Sequence, residues 1–444
     1  MRQKIHQAIK FIFMVLLIQG QGFAQSPAPY YFEFGPLPEP VTNNAVTAAK
    51  VNDTVYVYSF MGLDSSKLWS GIHLKSWRLN TLTDEWQPIA PVPDPSGGLI
   101  AAAASTVKNK IYVIGGYHVA QNGNETSSNR VHRFDPQTNA WLPDGANIPK
   151  AIDDHVQAVW RDSLIFVVTG WSNTSNVANV QIYNPATDTW LAGTSVPNNN
   201  DYKVFGASGI IKGDTLYYIG GASNASNFPA TSVFRKGHIN PNNPVEITWS
   251  AETSPAAKGY RMAAATMADH LVWLGGADVT YNYNGIAYNG SGGVPALARV
   301  KAYHKFFGGL SELSAPGLFP NIMDLRGAAQ INQDFFVTVG GMGSQQKVSN
   351  RVYGYSWQYT VPTTIPLNAS GIKISPNPAS DYLSIESSQA LLYQLLDTQG
   401  SVVRQAFGSG RLVMETHNLP RGYYWLRALQ DGNLLGIEKI VLAR

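Results

Sequence analysis

The sequence predicts an all-β protein: a six-bladed β-propeller followed by a small Ig-like β-sandwich. Two observations carry this prediction. A strand that ends in a glycine pair recurs six times, and the repeat then gives way to a tail of short alternating strands. The composition agrees, since only 14% of the 444 residues are charged while Gly (41), Tyr (22), Phe (17) and Trp (11) are plentiful. These residue types favour short strands joined by turns over helical bundles.

Charge and cysteine content exclude several classes of function. The net charge is +3 and no run of basic residues occurs, so nucleic-acid binding is not expected. Cysteine is absent, which excludes disulfides, zinc–thiolate sites, cysteine nucleophiles and a lipid-anchored cysteine. The sequence also has no HExxH metal motif, no phosphate-binding glycine loop and no serine nucleophile elbow. We therefore predict neither a metal nor a cofactor.

Residues 1–24 predict a cleavable export signal. Arg2, Lys4 and Lys10 form a basic start, and an apolar run over residues 11–18 follows, too short to span a membrane as a helix. Residues 22–24 then supply small residues at the positions that a signal peptidase reads. An N-terminal membrane anchor is the alternative. Because no other apolar stretch is long enough, the mature chain is predicted to have no transmembrane span.

Six repeat units follow the export signal. Their marker is the second residue of the glycine pair, found at Gly62, Gly116, Gly170, Gly221, Gly276 and Gly341. Met61 and Thr169 replace the first glycine in two units. A small-residue strand lies upstream of each pair, and downstream come an aromatic residue or Leu and then a Trp, as at Phe134 and Trp141. Each unit is therefore predicted to form four antiparallel strands.

This combination of small-residue strand, glycine pair, aromatic residue and Trp resembles the kelch repeat over about residues 30–358. The resemblance implies small residues lining a central axis and Trp packing between neighbouring blades, although the fifth and sixth units lack a clear outer Trp. Residues 31–40 look like the outer strand of a unit, and the sixth unit stops near Trp357. We therefore expect the propeller to occupy residues 25–358, with the N-terminal strand completing the last blade.

The tail over residues 372–444 follows a linker, residues 359–371, that is rich in Thr, Pro and Ser. It resembles the type A sorting domain of the bacterial type IX secretion system. The resemblance is carried by the motif residues Pro376, Asn377, Pro378, Gly422, Tyr423 and Lys439. It implies the type IX machinery as a partner and a protein that is secreted, extracellular or attached to the outer-membrane surface. A generic Ig-like module is the alternative.

Alignment of the units predicts a ligand site at one end of the ring. The innermost strands should begin fourteen residues before the first position of each glycine pair, at Thr47, Ala101, His155, Gly206, Arg261 and Arg326. Loops joining the second and third strands, including an insertion at about residues 277–299, share that face, where propellers usually hold ligands. The ligand-binding candidates are His155, Arg261, Arg326, Asp154, Trp69, Tyr117, Trp171, Tyr281 and Tyr283.

These residues predict a secreted or cell-surface binding protein that recognises a carbohydrate or protein ligand. Aromatic rings stack on sugars, and Asn, Asp and Arg bond hydroxyls or carboxylates. The alternative is a carbohydrate mutarotase or epimerase similar to the sialic acid epimerases, which use an Arg and acid–base residues in the channel mouth. Copper chemistry of the galactose-oxidase type is excluded because it needs a Cys. A structural surface-layer component that binds no small ligand is a third possibility. For Arg261 and Arg326 the alternative to ligand binding is that they pair with neighbouring acids and line a wet channel.

Overall fold

The computed structural model describes residues 28–267, 269–304, 308–314, 319–358, 367, 371–397, 402–430 and 433–443. The predicted export signal, residues 1–24, and most of the predicted linker lie outside these residues. Within the described parts of the chain, no helix is long and apolar enough to cross a membrane.

Six four-stranded antiparallel sheets, the blades, follow one another along the chain. The first strand of the chain is β1 (Ala28–Phe34), and blade 1 contains β2 (Ala45–Val51), β3 (Thr54–Leu63), β4 (Ile72–Asn80) and β5 (Glu85–Ile89). Blade 2 contains β6 (Ala103–Val107), β7 (Lys110–Ile114), an added hairpin of β8 (Tyr117–Val119) and β9 (Glu125–Ser127), β10 (Val131–Asp135) and β11 (Ala140–Leu142). Blade 3 contains β12 (Val156–Trp160), β13 (Leu164–Val168), the short hairpin of β14 (Trp171–Ser172) and β15 (Ser175–Asn176), β16 (Val180–Asn184) and β17 (Thr189–Gly193).

The remaining blades repeat the same order of four strands. Blade 4 contains β18 (Ser208–Lys212), β19 (Thr215–Ile219), β20 (Val233–Asn240) and β21 (Asn243–Thr253). Blade 5 contains β22 (Ala263–Met267), β23 (His270–Leu274), β24 (Arg299–His304) and β25 (Gly308–Ser314). Blade 6 contains β26 (Ala329–Asn332), β27 (Phe335–Val339) and β28 (Val352–Gln358). Among the residues described, three short 3₁₀ helices lie in loops, η1 (Trp69–Gly71), η2 (Pro255–Ala257) and η3 (Ser344–Gln346).

The N-terminal strand β1 is the fourth strand of blade 6. It pairs antiparallel with β28 in unbroken register, from Ala28 opposite Gln358 to Phe34 opposite Val352. Phe34 is buried in a core that continues into blade 1. The first and last strands of the propeller are therefore held in one sheet, and strand pairing rather than a covalent link closes the ring.

The glycine pairs allow the backbones of neighbouring blades to approach closely. All twelve positions have positive φ, including Met61 (51°) and Thr169 (49°), because the chain turns sharply where the second strand of a blade ends. The second residue of each pair donates its N–H to a carbonyl on the approach to the next blade, as Gly116 does to Ile152 O (3.0 Å). At Gly220 a Cβ would lie only 2.1 Å from Gly259 O, so this approach excludes a side chain.

The outer Trp residues bond neighbouring blades together. Each indole N–H donates to a backbone carbonyl that precedes its own blade: Trp86 to Gly35 O (3.0 Å), Trp141 to Ala90 O (2.9 Å), Trp190 to Ala146 O (2.7 Å) and Trp249 to Thr194 O (3.0 Å). The indole therefore contributes both apolar burial and a directional hydrogen bond to the interface. This explains why the Trp keeps its place in the repeat.

The C-terminal tail forms a separate five-stranded sheet. Its strands are β29 (Lys373–Ser375), β30 (Tyr382–Leu396), β31 (Val402–Glu415), β32 (Gly422–Gln430) and β33 (Asn433–Leu442). The sheet encloses an apolar core that includes Leu383, Tyr393 and Leu426, as expected for a small β-sandwich. Asn377 holds two parts of the sorting motif together, because its amide donates to Lys439 O (2.7 Å) and accepts from Val441 N (2.9 Å).

Candidate functional site

A closed ring of hydrogen bonds marks the end of the propeller where the innermost strands begin. We call it the mouth ring, and its members all have positive φ: Asn43, Ala101, Asp154, Gly206, Arg261 and Asp324. Each blade donates one backbone N–H to the ring residue of the preceding blade. The bonds are Asn43 N to Asp324 O (3.2 Å), Ala101 N to Asn43 Oδ1 (2.9 Å), Asp154 N to Ala101 O (3.1 Å), Gly206 N to Asp154 O (2.8 Å), Arg261 N to Gly206 O (2.8 Å) and Leu325 N to Arg261 O (3.1 Å).

The mouth ring corrects the alignment made from a fixed spacing. Fourteen residues before the glycine pair is the ring position in blades 2, 4 and 5, but Thr47, His155 and Arg326 lie beyond it in the other three. The reason is that the chain between the ring and the glycine pair varies in length. In blade 1, for example, β2 and β3 have 7 and 10 residues, whereas β6 and β7 in blade 2 have 5 each.

Arg261 is held between two carboxylates in the mouth ring. Its Nε and Nη2 bond Asp154 Oδ1 and Oδ2 (3.1 and 2.5 Å), and its Nη1 bonds Asp324 Oδ1 (2.9 Å). The rings of Tyr260 and Tyr281 lie 5.1 and 5.5 Å from the guanidinium carbon. Burial favours the neutral form, but the neighbouring carboxylates outweigh it and raise the pKa of Arg261 well above its ordinary value. Its charge is therefore already matched within the protein.

His155 and Arg326 face a different cavity, the central channel, which has a volume of about 410 Å³ and is lined mainly by small residues of the innermost strands. Arg326 donates from Nη2 to His155 O (3.0 Å), and its Nη1 lies 3.5 Å from Asp154 Oδ1. Burial, together with Arg326 nearby, lowers the pKa of His155 to about 4. Neither Asp154 nor Arg261 lines this channel, so the predicted polar cluster divides between two cavities. The Asp154 carboxylate, which contacts both Arg261 and Arg326, lies between the two parts of the cluster.

The insertion of blade 5 is packed over the mouth of the ring. Tyr281 is fully buried against Tyr260, with ring centroids 5.0 Å apart. Tyr283 packs against an apolar cluster from blades 1 and 2 that includes Leu63 and Tyr117. Gln346 of blade 6 donates to Val294 O (2.8 Å) at the far end of the insertion. Tyr281 and Tyr283 therefore act as packing residues that cap the loop face.

A pocket of about 90 Å³ opens beside this cap, and we call it the loop-face pocket. Loops of blades 2 to 5 supply its lining, which comprises Tyr117, Glu125, Asp153, Asp154, Trp171, Phe205, Phe228, Arg261 and Tyr288. Four of the rings form one aromatic cluster. Trp171 lies 5.5 Å from both Phe205 and Phe228, Phe205 lies 5.6 Å from Phe228, and Phe228 lies 5.2 Å from Tyr288, all edge-on.

Two carboxyl groups of the pocket have no ion pair among the described residues, Asp153 and Glu125. Asp153 is buried and accepts a hydrogen bond from Ser127 Oγ (2.5 Å). Burial first, and then the adjacent Asp154, raise the pKa of Asp153 well above its ordinary value. Glu125, on strand β9 at the rim, makes no hydrogen bond with any described residue. No group of three or more acidic or His residues suited to a metal occurs in the described parts of the chain.

The structure brings four of the candidate ligand residues together in this pocket: Asp154, Arg261, Tyr117 and Trp171. Trp69 lies apart in η1 of blade 1, with 40% of its surface exposed. The sequence reasoning missed Glu125, Phe205 and Phe228 altogether, while Asp153 and Tyr288 lie beside predicted candidates in the sequence without being among them. A usable signal was present, because Glu125 and Phe228 follow a glycine pair closely in sequence and therefore lie in the loops of the same face.

Comparisons with known proteins agree with this architecture. The KLHDC2/KLHL20/DRC7 Kelch-repeats domain matches residues 33–221, and the secretion system C-terminal sorting domain matches residues 373–443. Kelch-like protein 36 of Bos taurus is 20% identical over 258 residues, which cover 58% of this chain and 39% of that protein. Kelch-like protein terF of Aspergillus terreus is 25% identical over 244 residues, covering 52% and 49%. The chain thus spans less than half the length of these two relatives.

Among solved structures, that of YjhT has a TM-score of 0.56 and 18% sequence identity, and covers 71% of this chain and 95% of its own. At this identity the likeness concerns the fold alone, and the function has to be argued from the site.

Proposed function

We propose, for this kelch-repeat β-propeller protein with a C-terminal sorting domain of the type IX secretion system, a non-catalytic role in carbohydrate binding through the loop-face pocket. The sorting domain indicates that the protein is exported and is secreted or held at the cell surface, with the type IX machinery as a partner. The ligand is therefore met outside the cell.

The single observation that carries the proposal is the composition of the pocket. Trp171 and Tyr288 offer ring surface, and Glu125 and Asp153 offer oxygens, at a concave site built from loops of four blades. Aromatic rings pack against the apolar faces of sugars, and carboxyl groups bond their hydroxyls. A small concave site suits the end of a glycan better than it suits the flat surface of a folded protein.

The same geometry disfavours an anionic ligand and a mutarotase that uses His155. An anionic ligand would need a free cation, but Arg261 is already bonded to Asp154 and Asp324. A mutarotase using His155 is disfavoured because that side chain is buried and faces the channel. One observation still favours a mutarotase, namely that Asp153, with its raised pKa, is a potential proton donor near the carboxylate of Glu125.

The experiment is a glycan array, followed by titration calorimetry on the full chain and two Trp variants. Trp171→Ala removes a wall of the pocket, and we expect it to weaken binding about tenfold or more, since base- or sugar-facing aromatic rings contribute about 1–3 kcal/mol. Trp69→Ala is the matched control, because Trp69 does not line the pocket, and it should bind as the parent does.

Retained binding in Trp171→Ala, or binding of no glycan at all, would contradict the proposal. NMR measurement of anomer exchange on any sugar that binds separates the two functions. Exchange accelerated by the parent and abolished in Asp153→Asn would establish the mutarotase instead.

A further inference from the structure

We infer that the loop-face pocket binds an organic ammonium group, so that the carbohydrate proposed above carries a free, cationic amine. The inference deepens the proposed function by naming the chemical class of its ligand. It rests on the charge, the ring lining and the volume of the pocket.

The pocket contains two carboxyl groups that no cation of the described residues matches. The guanidinium of Arg261 is neutralised by Asp154 and Asp324, which it contacts at 2.5 and 2.9 Å. Asp153 and Glu125 have no cationic partner among the residues that the structure describes. Burial and the adjacent Asp154, with no cation paired to offset them, keep the pKa of Asp153 raised, so a bound cation would favour its charged form. A ligand that brings a positive charge would supply that partner, whereas a neutral hydroxyl would leave it missing.

The aromatic lining favours the same charge. Trp171, Phe205, Phe228 and Tyr288 stand edge-to-face, so their planes are steeply inclined to each other around the cavity. The face of an aromatic ring carries negative electrostatic potential, and an ammonium or methylated ammonium group within about 6 Å of a ring is attracted by about 0.5–2 kcal/mol. Several inclined rings beside a carboxylate are the usual surroundings of a bound organic cation.

The volume decides which part of a ligand enters. The pocket holds about 90 Å³, whereas a cavity of about 150 Å³ is the size that accommodates benzene. A complete pyranose ring is therefore too large to enter it whole, so only part of a sugar can reach the aromatic lining. A substituent such as an ammonium group fits, and the sugar ring that bears it would remain at the rim beside Glu125, which is exposed.

The test compares four soluble probes by titration calorimetry on the full chain. They are a glucosamine tetramer, its fully N-acetylated counterpart, Nα-acetyl-lysine amide and tetramethylammonium. The tetramers differ only at the nitrogen substituent, which is a cationic ammonium group in one and a neutral, larger acetamide in the other, so we expect the glucosamine tetramer to bind about tenfold or more tightly. Tetramethylammonium and the lysine amide, which bring the charge without the sugar, separate the effect of charge from that of size. Lysine amide and tetramethylammonium should bind more weakly, since they lack the sugar contacts.

Paired variants assign the effect to the pocket. Glu125→Gln keeps the shape of the side chain and removes its charge, and we expect it to weaken binding of the glucosamine tetramer by about tenfold. Asp53→Asn is the control, because it makes the same change of charge in the exposed turn between β2 and β3. It should leave binding unchanged.

The outcomes separate the inference from the function that it deepens. Equal or tighter binding of the acetylated tetramer would overturn the ammonium inference and leave carbohydrate recognition standing. Binding of lysine amide or tetramethylammonium without either tetramer would support the ammonium pocket and overturn the carbohydrate proposal. Binding of no probe, or equal losses in Glu125→Gln and Asp53→Asn, would overturn the inference.

Discussion

The guanidinium of Arg261 grips both carboxylate oxygens of Asp154, across the mouth of the propeller from blade 5 to blade 3, with contacts of 3.1 and 2.5 Å. Asp324 of blade 6 bonds the same guanidinium. One side chain thus fastens three blades in addition to the backbone bonds of the mouth ring. Because all three groups are buried, this arrangement contributes to stability only while it is complete.

Replacing Arg261 by Ala should therefore destabilise the propeller strongly. It leaves Asp154 and Asp324 buried without their shared cation, and we expect a loss of about 3–5 kcal/mol in the free energy of unfolding. Chemical denaturation measures it. Lys108→Ala is the control, because its ion pair with Asp162 is exposed and such pairs contribute about 0–1 kcal/mol. Similar losses in the two variants would contradict this account.

The indole of Trp190 should stabilise the interface of blades 2 and 3 in two separable ways, by ring packing and by a hydrogen bond. Trp190→Phe keeps most of the ring packing against Tyr183 but leaves Ala146 O without its donor, so we expect a loss of about 1 kcal/mol. Trp190→Ala removes both the packing and the hydrogen bond and should lower the free energy of unfolding by about 2–3 kcal/mol. Leu191→Ala, at an exposed neighbouring position, should change the unfolding free energy by less than about 0.5 kcal/mol. Equal effects of Phe and Ala would place all of the energy in the hydrogen bond.

His155 should make the propeller sensitive to mild acid. The pKa of His155 is about 4 in the folded protein against an ordinary 6.5. Between these two pH values the unfolded chain therefore binds a proton at His155 that the folded protein does not bind. Stability from this group is complete above pH 6.5 and falls until about pH 4, by roughly 3 kcal/mol. His155→Gln should flatten that part of the pH profile of the unfolding free energy. His238→Gln, at an exposed site, should keep the profile of the parent, and an unchanged slope in His155→Gln would refute the assignment.

Closure of the ring should depend on the apolar contacts of β1. Phe34 is buried in the core shared by blades 6 and 1, and Phe34→Ala should lower the free energy of unfolding by about 3 kcal/mol. Hydrogen exchange adds a spatial readout. Amides of β28, the partner of β1, should lose protection more than those of β13 in blade 3. A uniform loss of amide protection across all blades would contradict a specific role of β1 in closing the ring.

The repeat made most of the propeller predictable from sequence. Glycine pairs and Trp residues recur because the interface of two blades needs the same close approach and the same indole bond each time, as at Gly220 and Trp190. Residues that occur in only one blade do not recur, so the repeat does not reveal their positions. Thr47 was aligned with Arg261 by counting, yet the ring position in blade 1 is Asn43, since β2 and β3 are longer than their counterparts.

The site was harder to predict because it is built from the parts that do not repeat. Arg261 and Asp154 were identified as candidates, but their mutual bonding, which removes Arg261 as a ligand for anions, depends on a contact across 107 residues of sequence. Glu125 and Phe228 come from loops of unequal length in different blades, and only the ring geometry brings them together. The spacing of residues within one repeat does not predict which loop residues of different blades come into contact.

The pairing of β1 with β28 has a consequence for the order in which the propeller can be completed. The first strand of the propeller, β1, has as its partner the last strand, β28, and the paired residues lie from 318 (Phe34 and Val352) to 330 (Ala28 and Gln358) positions apart in the sequence. Until β28 is available, β1 has no partner strand and the ring of blades cannot close. The propeller can therefore be complete only once the chain up to Gln358 is available, and the sorting domain is the part of the chain that comes after this last strand.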